Sequence, residues 1–172
     1  MRHLKILVIG PQGVGKTTLI KSATDHAIST DVNGCTVCLD FGTLEYRQFK
    51  AHLFGSPGLQ QFGLVRKALS GGTDGVILVV DSANPHTIVQ GERYLHEIFG
   101  SNTPPVAVAA NKQDLPGAIH PKQIETLLKI RAPVFPTIAL RGLGLSDLLG
   151  QFISYLGDIG KGLNVATLLE TA

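Results

Sequence analysis

The sequence predicts a three-layer α/β fold: a mostly parallel six-stranded sheet with one antiparallel edge strand and helices on both faces. Short, wholly apolar runs recur along the chain, as strands buried on both sides require. Amphipathic stretches of helical period separate most of them, the alternation that calls for parallel strands joined by crossover helices. One pair of alternating segments is joined by a link too short for a crossover, which makes it an antiparallel hairpin. At 172 residues the chain has the size of one domain; residues 1–159 are expected as that domain and 160–172 as a tail or short helix. Hydrophobic residues make up 44% and charged residues 16%, a balance that excludes intrinsic disorder.

The elements follow in order. Residues 4–9 form an apolar strand, a glycine-rich turn follows, and residues 17–26 have helical character. Residues 36–43 and 47–54 both alternate, with Leu44-Glu45-Tyr46 as their link. Residues 59–70 are expected as a helix that Gly71-Gly72 ends, glycine being the usual stop at a helix C-terminus. Residues 75–80 are a fully apolar strand closed by Asp81. Asn84 or Ser82 can cap the next helix, which has Pro85 near its first turn and runs to about Phe99. Residues 105–110 and 134–138 are strands, and 121–129 and 146–156 are helices. The tail carries Leu163, Val165, Leu168 and Leu169, an apolar set expected to dock on the domain or on a partner.

Charge is nearly balanced. Fifteen Lys and Arg against 13 Asp and Glu give +2, and Arg66-Lys67 is the single adjacent basic pair, so no nucleic-acid footprint is expected. No stretch has the apolar length that crosses a bilayer. The opening apolar run is interrupted by Lys5 and ends at Gly10, too short for a signal-peptide core, so the expected location is the cytoplasm. Cys35 and Cys38 are spaced as CxxC but enter a β-branched alternating run, where extended backbone holds such sulfurs too far apart to bond. Zinc would need two further ligands, with His52 the one plausible helper nearby. Buried strand cysteines are the expectation.

Gly10-Pro11-Gln12-Gly13-Val14-Gly15-Lys16-Thr17 fits GxxxxGK followed by Ser or Thr in full, and it lies between a strand and a helix, the context the motif needs. Glycines let successive N–H groups turn inward onto phosphate oxygens, and the helix dipole adds its field. Gly10, Gln12, Gly13, Val14, Gly15 and Thr18 are therefore expected around the phosphates. Lys16 supplies a full charge to the β and γ phosphates, and Thr17 a hydroxyl to magnesium, a hard cation held by few protein ligands.

Asn111-Lys112-Gln113-Asp114 follows the strand at residues 105–110 at its carboxyl end, where such sheets bind ligands. An aspartate there accepts from the N1–H and the exocyclic amine of guanine, and the Lys112 stem lies across the ring. Adenine has no N1 proton and would leave Asp114 desolvated and unpaired, and sites of that kind discriminate by about 10⁴ or more. GTP and GDP are the expected ligands.

With these two motifs the chain resembles the small Ras-like GTPases, in particular the archaeal and bacterial branch that carries DFG on the second strand and an F-G-T-P-G-like switch. The resemblance covers residues 3 to about 157. It implies that Thr36, in the run Thr36-Val37-Cys38-Leu39-Asp40-Phe41-Gly42, is the switch I threonine, a metal ligand with a catalytic role, and that Val80-Asp81-Ser82 ends the fourth strand. Ala139-Leu140 stands for the last guanine-contacting segment, with Ile138 where that family has serine. It also implies a regulatory partner, a GTPase-activating protein or a small Roadblock-type protein.

The third motif departs from the pattern. DxxG followed by glutamine is the family form, and here Gly55-Ser56-Pro57-Gly58-Leu59-Gln60 stands in its place. Gly58 keeps the amide that senses the γ-phosphate. The aspartate has become Gly55, so another group is expected to help hold the magnesium shell, with Asp40, Asp81 and water as candidates. Alternation puts Thr36 and Asp40 on one face of a strand, yet four residues span about 13 Å, so both cannot ligate one ion without a bend. Leu59 cannot align a water for in-line attack, so intrinsic hydrolysis is expected to be slow, with Gln60 a candidate to swing in. Arg66 reads as a solvated helix residue, and an arginine finger would have to come from a partner. Two functions remain open: a GTP-driven switch with slow turnover, and a GTP-binding module with little or none.

Overall fold

The computed structural model describes residues 1–28, 40–58 and 63–160. The chain runs β1 (Arg2–Ile9), α1 (Lys16–Ala23), β2 (His26–Ile28), β3 (Asp40–Tyr46) and β4 (Phe49–Gly55). It continues with α2 (Gly63–Leu69), β5 (Gly75–Asp81), α3 (His86–Phe99), β6 (Val106–Asn111), α4 (Pro121–Leu127) and β7 (Val134–Pro136), then a 3-10 turn (Ala139–Arg141) and α5 (Leu145–Ile159). One sheet holds the strands in the order β2-β3-β4-β1-β5-β6-β7. β1 pairs in parallel with β4 and β5, and the parallel set extends through β6 to β7. β3 alone runs against both its neighbours.

Alternation along β1 builds the two cores. Leu4, Ile6 and Val8 point to one face, where Leu19 and Ile20 of α1 and Leu148, Phe152 and Ile153 of α5 cover them. Leu7 and Ile9 point to the other, under Ile88 and Leu95 of α3 and Ile124 of α4. Successive side chains of a strand face opposite ways, so a strand buried on both faces has to be apolar throughout. β5 meets that condition from Gly75 to Val80, all buried.

The three layers are as the sequence predicts, but the sheet has seven strands rather than six, and the antiparallel strand is second from the edge. α1 stops at Ala23, where the Thr24 hydroxyl donates to Ile20 O at 2.7 Å and extended backbone at Thr24 redirects the chain. Residues 26–28 then pair with Phe41–Thr43 as an outer strand instead of continuing the helix to His26. The hairpin link also moves. β3 runs through Tyr46, the turn is Arg47-Gln48, and Arg47 takes φ 54. Tyr46 is drawn inward because its ring lies against α5 at Gly150. Neither Asn84 nor Ser82 caps α3 with its side chain; Pro85 occupies the cap, and the Thr87 hydroxyl donates to Asn84 O at 2.7 Å.

Candidate functional site

The carboxyl ends of β1, β4, β5 and β6 lie side by side, where an open parallel sheet binds its ligands. The loop at residues 10–15 leaves β1 and turns into α1 at Gly15. There the backbone is left-handed (φ 103), and a Cβ would collide with the Asn111 side chain, so only glycine fits. Lys16, 8% exposed, donates from Nζ to Pro11 O at 2.7 Å. Burial pushes its pKa down to about 8; the Asp40 carboxylate opposes that shift and the Arg66 guanidinium adds to it. A buried ammonium that accepts a neutral carbonyl as partner is well placed to take a phosphate instead.

Asn111 joins the loop at residues 10–15 to the segment at residues 137–139. It is buried at the last position of β6. Its Nδ2 donates to Val14 O at 2.8 Å, while its Oδ1 accepts from the Ala139 amide at 2.9 Å and from the Thr137 hydroxyl at 3.3 Å. The phosphate loop, the Asn111-to-Asp114 segment and the 3-10 turn with exposed Leu140 therefore form one rim. Lys112 has left-handed backbone (φ 64) and donates to Asp81 Oδ2 at 2.6 Å. Gln113, which motif reading leaves unassigned, donates to Ser82 Oγ at 2.7 Å and to Ile119 O at 3.2 Å, pinning the loop to the end of β5. Asp114 is exposed, with its carboxylate unpaired among the described residues.

Asp81 has both carboxylate oxygens engaged within the chain. Its Oδ1 accepts from the Ala83 amide at 2.9 Å and its Oδ2 holds Lys112 at 2.6 Å, so it is a turn cap that anchors Lys112. Asp40 is the carboxylate beside Thr17. It is the first residue of β3, directly across from Gly55 of β4, and it is buried. The Thr17 hydroxyl donates to its Oδ2, and its Oδ1 is buried with no hydrogen-bond partner among the described residues. A Cβ on Gly55 would lie 2.9 Å from Asp40 Cβ and 3.0 Å from Ile20 Cδ1. Position 55 and the Asp40 side chain thus compete for one space. Thr17 and Asp40 offer hard oxygen donors, one of them unsatisfied, and so suit magnesium. Among the described residues no group of three or more His, Cys, Asp or Glu could hold a metal.

Gly58 lies against the phosphate loop: a Cβ there would come 2.6 Å from Lys16 Nζ and 2.7 Å from Gln12 N. Beneath it lies Arg66. Far from being solvated, Arg66 has no exposed surface and stacks its guanidinium 4.0 Å from the centre of the Tyr94 ring. α2 packs on α3, which turns Arg66 inward onto Tyr94 and Glu97. No pattern around Arg66 announces this, but Tyr94 falls with Gly91, Leu95 and Ile98 on the buried stripe of α3, a spacing that marks it as inward-facing. Thr36, Leu59, Gln60, Cys35, Cys38 and residues 161–172 lie outside the described residues. His52, weighed as a zinc helper, instead stacks on His3, with Nε2 2.8 Å from His3 Nδ1. No helix among the described residues is long and apolar enough to cross a membrane.

The sequence model of the ADP-ribosylation factor family (Arf) matches residues 1–156. An uncharacterized protein of Methanocaldococcus jannaschii is 27% identical over 153 residues, which cover 89% of this chain and 97% of that protein.

Proposed function

Because the chain belongs to the ADP-ribosylation factor family of small GTPases, we propose that it is a guanine-nucleotide switch that binds GTP and GDP with magnesium and hydrolyses GTP slowly. The observation that carries this reading is Asn111, one buried side chain that ties the phosphate loop to both base-side segments. Lys16 and the amides of Gly10 and residues 12–15 take the phosphates, Asp114 takes the guanine edge, and Ala139 and Leu140 border the base. Gly58 meets the third phosphate, which only GTP carries.

Thr17 and Asp40 hold the magnesium shell in this reading. A carboxylate from β3 takes over from the one that the neighbouring strand lacks at Gly55, and the register Asp40↔Gly55 makes that exchange possible. Held there by the Thr17 hydroxyl and the Asp40 carboxylate, magnesium would supply positive charge against the phosphates. Leu59 contributes no hydrogen bond to an attacking water, which favours slow turnover and an activating partner that supplies an arginine. The same residue supports the second reading, a GTP-binding module without turnover.

Calorimetry with magnesium is expected to show GTP and GDP binding tightly and ATP at least 100-fold more weakly. ATP equal to GTP would overturn the reading. Asp40→Asn should weaken the magnesium dependence of nucleotide affinity about 10- to 100-fold, the usual cost of losing a group beside a metal. The exchanged pair Asp40→Gly with Gly55→Asp should recover part of it, whereas Gly55→Asp alone should itself weaken the magnesium dependence, because two carboxylates cannot share that space. An Asp40→Asn protein with unchanged magnesium dependence would remove Asp40 from the metal shell. Phosphate released over hours from GTP-loaded protein separates the slow switch from the silent module.

A further inference from the structure

Residues 56–58 leave β4 anchored at three successive points. The Ser56 amide donates to Val8 O at 2.9 Å, Arg66 Nη1 donates to Pro57 O at 3.3 Å, and the Tyr94 hydroxyl donates to Gly58 O at 3.1 Å. The two side chains act as one body, since the Arg66 guanidinium is stacked on the Tyr94 ring. Glu97 accepts from Arg66 Nη2 at 3.5 Å, and Gln90 Nε2 donates to the Tyr94 oxygen at 3.1 Å. Taking a guanidinium wholly out of water is costly unless its neighbours compensate it, so this arrangement is demanding to build.

We propose that Arg66 and Tyr94 are positioning residues that aim the Gly58 amide at the terminal phosphate of GTP, and so set how the protein tells GTP from GDP. The direction follows from the peptide bond. No described peptide bond is cis, and in a trans peptide the C=O and N–H point opposite ways. Pro57 O and Gly58 N–H belong to one such peptide. With the carbonyl held by Arg66, the N–H is turned away from α2 and α3. Lys16 Nζ and Gln12 N lie against Gly58 at the phosphate loop. Tyr94 fixes the following peptide through Gly58 O, so the amide is set from both sides. Pro57 narrows the freedom of the segment further by its fixed φ, which leaves little entropy to lose when the phosphate arrives. GDP has no group for this amide to meet. The inference rests on the guanine-nucleotide reading and adds the device that separates the two nucleotide states.

The test is the affinity of the full chain, with magnesium, for a non-hydrolysable GTP analogue and for GDP. Tyr94→Phe keeps the ring and its stacking but loses the bond to Gly58 O. It should weaken the analogue about fivefold, the usual effect of one hydrogen bond, and leave GDP within about twofold. Arg66→Met should weaken the analogue about tenfold or more, again without a matching loss for GDP. A merely structural role would lower both affinities together, so equal losses overturn the proposal, as does an unchanged ratio in Tyr94→Phe. Circular dichroism checks the fold of each variant; if Arg66→Met does not fold, Tyr94→Phe decides alone. An unaltered protein that binds neither nucleotide would bring down the switch reading and this proposal with it. Binding by the unaltered protein with an unmoved ratio brings down the proposal only.

Discussion

Asp114 is an exposed carboxylate just past the end of β6, and the base edge that it meets decides its use. A carboxylate only accepts, so it suits the two donors that guanine presents at N1 and the exocyclic amine. Asn in its place would offer one acceptor and one donor, and the donor would face the guanine amine unpaired. Xanthine carries an oxygen where guanine carries that amine. Asp114→Asn should therefore weaken GTP by at least about 100-fold while xanthosine triphosphate gains, since an unpaired polar group in a buried contact is what discriminates. Competition between the two nucleotides for the variant measures it, and a variant that keeps its GTP preference would place the base elsewhere. Gln113, the neighbour, should show no such exchange, because its amide is already committed to Ser82 and Ile119.

At the scale of strands, the pairing of β1 with β4 sets two imidazoles against each other. His3 Nδ1 and His52 Nε2 are 2.8 Å apart, so one must donate and the other accept, and two charged rings would oppose N–H to N–H. Burial lowers the His52 pKa below its usual 6.5, and His3 and Lys50 add to the effect. Lys5 is the register partner of His52 on β1, Thr43 its partner on β3, and the Phe41 ring stacks on it. A base with a lowered folded pKa binds fewer protons than the unfolded chain between that pKa and 6.5. Stability therefore rises with pH across this window, and acidification through it costs stability. NMR titration should find the His52 midpoint below 6.5, and His3→Gln should move it upward. A midpoint at or above 6.5 would mean that the rings do not meet in solution. Register also explains what the sequence could and could not convey. β5 and β6 were legible because strands covered on both sides must be apolar throughout. β2 was not, since three residues carry no period to read. Alternation placed Asp40 on a face, but its standing opposite Gly55 depends on a register that a slip of one residue would abolish. The burial of Arg66 was hidden because its partners come from segment 57 and from α3, contacts that exist only after folding.

For the molecule as a whole, the site is a joint between segments that are distant in sequence, so ligand binding and global stability are coupled. Residues 10–15, 56–58, 111–114 and 139–141 come from four segments at one end of the sheet, and Asn111 ties its own segment to two of the others through Val14 and Ala139. A ligand that binds only the assembled rim stabilises the fold by mass action, about 2.7 kcal/mol at a hundredfold excess over Kd. In a domain of this size each kcal/mol moves the melting midpoint by about 2–4 °C. GTP or GDP with magnesium should therefore raise the midpoint by roughly 5–10 °C, and ATP at the same concentration should raise it little. Asn111→Ala removes three hydrogen bonds and leaves the Val14 carbonyl and the Ala139 amide unsatisfied near the core, so it should lower the midpoint without ligand by several degrees. It should also abolish most of the nucleotide-dependent rise. A variant that melts lower yet keeps the full rise would show that the two ends of the site bind independently, and Asn111 would then be a packing residue of β6 rather than the joint of the site.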